Sequence, residues 1–175
     1  TDNKSEEHEI NYRQFNKKLE LLNQILSLIS DINQASDEKE VKDCIPALLQ
    51  YTGEYTDADR VYIFELMSEK QDYYSNTFEW CREGIVPQID NLIRISADSM
   101  PVWHEKFLRG ETIIIHDLEK ICETMPLEYD ILKVQDIHSL LVLPLFANTQ
   151  LSGFIGLDNP ELVNPGVSIS LLSNA

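Results

Sequence analysis

The chain has 175 residues, 43% of them apolar, and carries 30 acidic against 14 basic side chains, for a net charge of −16. Nucleic-acid binding depends on Lys and Arg neutralising phosphates, so a surface this acidic repels DNA and RNA, and it repels anionic lipid headgroups too. One domain with its own core is expected, with neither nucleic acid nor a membrane surface as a direct partner.

Cys44, Cys81 and Cys122 are odd in number, far apart and form no CxxC pair. They read as free thiols in a reducing, cytoplasmic setting rather than as a disulfide framework or a zinc site. No run approaches the roughly 20 apolar residues of a membrane span, and no signal peptide opens the chain. Starting at Thr1 and stopping at SISLLSNA, the sequence reads as a piece of a larger protein.

Residues 1–10 are polar and aperiodic and are expected to be a disordered end. From Tyr12 onward, Tyr12, Phe15, Leu19, Leu22, Leu26 and Ile29 are spaced 3, 4, 3, 4, 3, with Ile25 and Ile32 widening the stripe. This predicts a helix over 11–34 whose apolar seam serves either a dimer partner or the helix's own domain. Asp37 followed by Glu40 has capping-box spacing and predicts the start of a second helix. Val41, Cys44, Ile45, Leu48 and Leu49 form its buried stripe, Pro46 bends it or delays its start, and Gly53 ends it.

The period then changes. Residues 60–67, 73–80, 112–116, 139–146 and 151–157 are rich in β-branched and aromatic side chains and are predicted strands. Three are nearly continuous apolar runs, which implies cover on both faces. Helical spacing of Met100, Trp103, Phe107 and Leu108, with Pro101 in the first turn, predicts a helix over 99–108. A shorter one is expected over 127–134, a hairpin turn at Ala147-Asn148-Thr149-Gln150, and the start of a helix at Val167–Leu172. The order implies an α+β domain, one largely antiparallel sheet with helices on both faces.

Three words carry a family resemblance: Asp57-Ala-Asp-Arg-Val-Tyr-Ile-Phe64, Trp103-His-Glu-Lys-Phe-Leu-Arg-Gly-Glu111, and Ile137-His-Ser-Leu-Leu-Val-Leu-Pro-Leu145 followed by Gly153-Phe-Ile-Gly-Leu-Asp158. In that order they resemble the GAF domain family, over roughly residues 38–175. The resemblance implies a PAS-related sheet of five to six strands and a sensory domain over 36–175, truncated in its last helix. It further implies that helix 11–34 is a signalling and dimerisation element. The expected role is non-catalytic: binding a small molecule or partner and relaying the change to a covalently linked output domain, for which a diguanylate cyclase or histidine kinase is typical. A parallel homodimer is expected. The cyclic-nucleotide signature of the family is broken here, because Asn148 is followed by Thr149 rather than Lys. No cysteine is followed by His, as bilin-binding members require, so no cofactor is expected.

The residues alone contain no G-x-S-x-G elbow, phosphate loop or H-E-x-x-H helix. His104-Glu105, His116-Asp117 and the Asp57/Asp59/Arg60 cluster are placed to approach a pocket, with a solvated face as the alternative for each. Cys81 and Cys122 raise an enzymatic alternative, since one branch of the family reduces free methionine sulfoxide through cavity thiolates. A ligandless dimerisation spacer is the third reading. For the sensory reading, the ligand site is expected between the sheet and the 99–134 inserts. Its residues are Phe64, Phe78, Trp80, Trp103, Phe107, His116, Tyr129 and Ser139, with no metal.

Overall fold

The computed structural model describes residues 2–68 and 72–161. Helix α1 (Asp2–Gln34) is continuous, so the segment expected to be a disordered end is helical from Asp2 onward. Its apolar residues divide between two faces. Ile25 and Ile29 are buried with Leu48 of α2 (Glu38–Thr56), and Tyr51 and Tyr55 pack half-buried against them, which is self-packing. Tyr12, Phe15, Leu19 and Leu26, four of the six seam positions, stay exposed. Both expected uses of the helix therefore remain: one stripe holds the domain and the adjacent stripe is uncovered.

Helix α2 begins as the Asp37 signal requires, its carboxylate accepting the Glu40 N–H at 2.9 Å. Glu40 reaches back one residue further than a standard capping box and accepts from the Ser36 N–H at 2.7 Å. Pro46 lies inside the helix without delaying its start. Gly53 does not end it; the stop is Asp57, in the left-handed region at φ 53°. Gly53 has a packing role instead. A Cβ there would lie 2.0 Å from Cζ3 of Trp80, so the missing side chain is the space in which the indole sits. Gly53→Ala is expected to destabilise. Overpacking costs about 1–3 kcal/mol, only partly offset by the roughly 1 kcal/mol that Ala gains over Gly inside a helix. Urea unfolding of Gly53→Ala and of Gly53→Ala/Trp80→Phe checks this, the double variant recovering the loss.

Six antiparallel strands form one sheet in the order β3-β2-β1-β6-β5-β4. They are β1 (Arg60–Ser68), β2 (Asp72–Cys81), β3 (Ile95–Ser96), β4 (Ile113–Ile115), β5 (Leu140–Ala147) and β6 (Gln150–Asp158). The β5–β6 hairpin turns at Asn148 and Thr149, both at positive φ, as a two-residue type I′ turn demands. Strand β3, with two residues, was not among the expected strands. Helices α3 (Pro101–Leu108) and α4 (Pro126–Leu132) cover one face of the sheet, and α2 covers the other. Among the described residues no helix is long and apolar enough to cross a membrane. The helix expected at Val167–Leu172 falls outside the described residues.

One irregularity decides which side chains meet which face. In the β1–β2 ladder Ile63 pairs with Phe78 but Phe64 pairs with Asn76, leaving Thr77 as a bulge. A one-residue slip exchanges the faces of a strand. Tyr74 and Asn76 therefore point toward α3, while Phe78 and Trp80, of the same parity in sequence, pack under α2 with Ile45 and Leu49.

Candidate functional site

Between the sheet and the α3–α4 layer lies a cavity built on three rungs of the β1–β6 ladder. Arg60 pairs with Asp158, Tyr62 with Gly156 and Phe64 with Phe154, every second residue facing the same way. The rungs grade from charged to aromatic. Gly156 sets the middle one: a Cβ there would lie 2.2 Å from Cε2 of Tyr62, so the ring lies across the bare backbone. From that position the Tyr62 hydroxyl donates to Oδ1 of Asp158 at 2.8 Å.

Every nitrogen of the Arg60 guanidinium donates a hydrogen bond. Its Nε donates to Oδ2 of Asp158 at 2.8 Å, Nη1 to the Val86 carbonyl at 3.1 Å and Nη2 to the Gln135 carbonyl at 2.7 Å. The pair is buried, with side-chain exposures of 4% and 1%. One guanidinium thus ties the β2–β3 loop and the segment after α4 to the end of β6. Glu79, across from Tyr62 on β2, holds the same loop by accepting the N–H groups of Gln88 and Ile89 at 2.9 and 3.1 Å.

The roof comes from the inserts: Met100 and Trp103 at α3, Ile131 and Leu132 of α4, and Ile137 beyond it. The two helices are joined by Glu128 of α4, buried, whose Oε1 accepts the N–H groups of Val102 and Trp103 at 2.7 and 3.2 Å. It supplies the N-terminal cap of α3 that Met100 does not. The space between the layers is about 40 Å³. That is room for a few waters at about 10–15 Å³ each, so any larger guest displaces roof side chains. Outside, a cleft of about 340 Å³ runs past Asp59, Val86, Asp136 and Asn159, and Arg60 and Gln135 stand in the walls of both.

Of the expected site residues, Phe64 and Trp103 line the cavity, and Phe107 is buried beside it, 5.0 Å from the Phe154 ring. Phe78 and Trp80 do not reach it, because the Thr77 bulge turns them under α2. His116 is exposed beyond the end of β4, and Tyr129 points outward to donate to Glu119 at 3.0 Å. Ser139 sits before β5, its N–H on the Asn159 side chain at 3.1 Å, and is not in the wall. Of the polar candidates, Arg60 alone enters the wall; Asp59 meets Asn159 at 2.8 Å and His104 meets the Tyr74 hydroxyl at 2.7 Å. Neither Cys81 nor Cys122 lines the cavity. Tyr62, Glu79 and Asp158 are wall residues that the periodicity did not single out as site groups.

Burial pushes the Asp158 carboxyl up to about 6, against the downward pull of Arg60 and of the Tyr62 hydroxyl. Burial, reinforced by Asp158, pushes the Tyr62 phenol far above its usual range and keeps it a neutral donor. The Cys81 thiol is pushed up to about 11, first by burial and then by Glu79, which leaves it protonated near neutrality. Because folded Asp158 holds its proton more tightly than the unfolded chain, its contribution to stability is full below pH 3.8 and lost as pH rises through about 6. In urea unfolding between about pH 4 and 6, that share of the pH slope should vanish in Asp158→Asn.

With this geometry, comparison with known proteins is informative. The model of the GAF domain matches residues 40–166. The histidine kinase FilI of Methanothrix harundinacea, a methanogenesis regulatory protein, is 32% identical over 126 residues. The match takes in 69% of this chain, which spans 14% of the length of that relative. Among solved structures, a far-red-absorbing protein with bound biliverdin IXa superposes with a TM-score of 0.64 at 15% identity, over 85% of this chain and 90% of the other. The PixJ GAF domain of Thermosynechococcus elongatus gives 0.62 at 19% identity, over 81% and 85%. The chromophore-binding domain of Stigmatella aurantiaca bacteriophytochrome gives 0.59 at 16% identity, over 81% and 51%. At these identities the structural likeness establishes the fold. The chain belongs to the GAF domain family, and its curated relative is a signalling protein.

Proposed function

We propose that this chain is a non-catalytic sensory domain that binds a small molecule between the sheet and the α3–α4 layer and relays binding through helix α1. The observation that carries the reading is the cavity with its buried Arg60–Asp158–Tyr62 wall, tied by one guanidinium to two separate segments. A guest that lifts Gln135 or Val86 alters those ties, and the two arrangements differ in affinity for it, which is the requirement for a ligand-driven shift. The thiol-reductase reading loses support, since Cys81 is held protonated and lies outside the cavity wall with Cys122.

The histidine kinase relative favours a kinase over a diguanylate cyclase as the output of the parent protein. A parallel homodimer through α1 completes the relay. Tyr12, Phe15, Leu19 and Leu26 offer the seam, and the flanking Asn11, Asn16, Lys18 and Asn23 bring no acidic residue against the copy. Sedimentation equilibrium tests this: a dimer is expected for the wild type and a folded monomer for Phe15→Glu/Leu19→Glu. A wild-type monomer would remove the dimeric relay.

A further inference from the structure

Resting on that reading of the cavity, we propose that its ligand is a small organic ammonium ion, held against aromatic rings and the Glu79 carboxylate. The charged residues of the wall are Arg60, Glu79 and Asp158, one cation against two acids. Arg60 has no unpaired charge for a ligand, since it is held against Asp158 and three of its five N–H groups already donate to Asp158, Val86 and Gln135. A carboxylate or phosphate entering here would meet two acidic side chains and no available cation. Glu79 is in the opposite position. Among the described residues its donors are neutral: the N–H groups of Gln88 and Ile89, the Asn76 amide at 3.3 Å and the Cys81 thiol. Among the described residues no cation lies within ion-pair distance of it.

The rest of the wall suits the same guest. Tyr62, Phe64, Trp103 and Phe154 all line the space. Aromatic rings attract an ammonium electrostatically, and the attraction strengthens where water is excluded. The Trp103 indole N–H, buried and without a partner among the described residues, is left to take an oxygen of the ligand or of an accompanying water. The space of about 40 Å³ restricts the guest to a few heavy atoms before the roof has to move. The approach is acidic as well, with Asp59 and Asp136 in the outer cleft.

Three compact probes of similar size separate charge from size: trimethylammonium, tert-butanol and acetate. Each is titrated into the nitrogen-15-labelled protein while the two indole N–H resonances are followed. Trimethylammonium is expected to move the Trp103 resonance and to leave Trp80, on the opposite face, unmoved. Its affinity should exceed that of tert-butanol by about tenfold, the size of a desolvated cation–aromatic contact, and acetate, no larger than the cation, should leave Trp103 unmoved. Glu79→Gln should erode the preference for the cation. The wild-type series decides the matter even if that variant loosens the loop. Equal or stronger binding of the alcohol or the anion at Trp103 would overturn the ammonium assignment and leave the ligand cavity standing. No response of Trp103 to any of the three would also overturn the assignment, and the sensory reading would then rest on whether another molecule is retained.

Discussion

Asp158→Ala is expected to lower stability by about 3–5 kcal/mol, the cost of leaving a buried charge without its partner. Arg60 would keep its bonds to the Val86 and Gln135 carbonyls but would lose the only counter-charge at its Nε, in a position 3% exposed. The Tyr62 hydroxyl would lose its acceptor at the same time. Removing both charges is a different experiment. Arg60→Met/Asp158→Leu substitutes apolar groups of similar reach and is expected to recover much of the loss, since such replacements are often neutral or stabilising. Urea unfolding of the two variants beside the wild type measures the contrast. A loss below about 1 kcal/mol for Asp158→Ala would mean that water from the outer cleft solvates Arg60 and that the tie is not a buried one.

Phe154→Ala should be comparably severe, at about 3–5 kcal/mol. Phe154 is at the centre of the aromatic cluster: Phe64 stacks on it at 4.7 Å, Phe107 at 5.0 Å, and Tyr74 tilts against it at 5.2 Å. Truncation removes those contacts and opens a void that strands cannot collapse to fill, because Phe154 is flanked by pairings to both β1 and β5. Ile114→Ala, on the exposed face of β4, should cost little by comparison and serves as the control. The same substitution enlarges the cavity, so Phe154→Ala protein that remains folded should admit bulkier guests than the wild type does. Thermal unfolding with and without tert-butanol would register that.

The long strands could be read from sequence because their runs of Val, Ile, Leu and Phe are bounded by turn residues, and the helices because their period is 3.6. Placement within the site was harder. Parity along β2 puts Tyr74, Phe78 and Trp80 on one face, and only the Thr77 bulge, which no composition signal marks, separates them. That is why Phe64 and Trp103 reach the cavity while Phe78 and Trp80 do not. Arg60 and Asp158 are 98 positions apart, and their pairing depends on β1 lying beside β6, a choice of strand order that periodicity leaves open. Strand β3 is too short for any period to appear. Helix α1 shows the reverse case: its wide apolar stripe was legible, and it divides into one face packed on α2 and one left uncovered. Gly53 misled because a glycine near a helix end is usually a stop, whereas here the helix passes through it to admit an indole.

Native mass spectrometry of the purified chain tests the central claim most directly, since it reports subunit number and retained small molecules in one spectrum. A dimer is expected, carrying a small-molecule adduct that is released on unfolding and is absent from protein stripped and refolded. A bare monomer, unchanged in mass before and after stripping, would contradict both the occupied cavity and the helical seam.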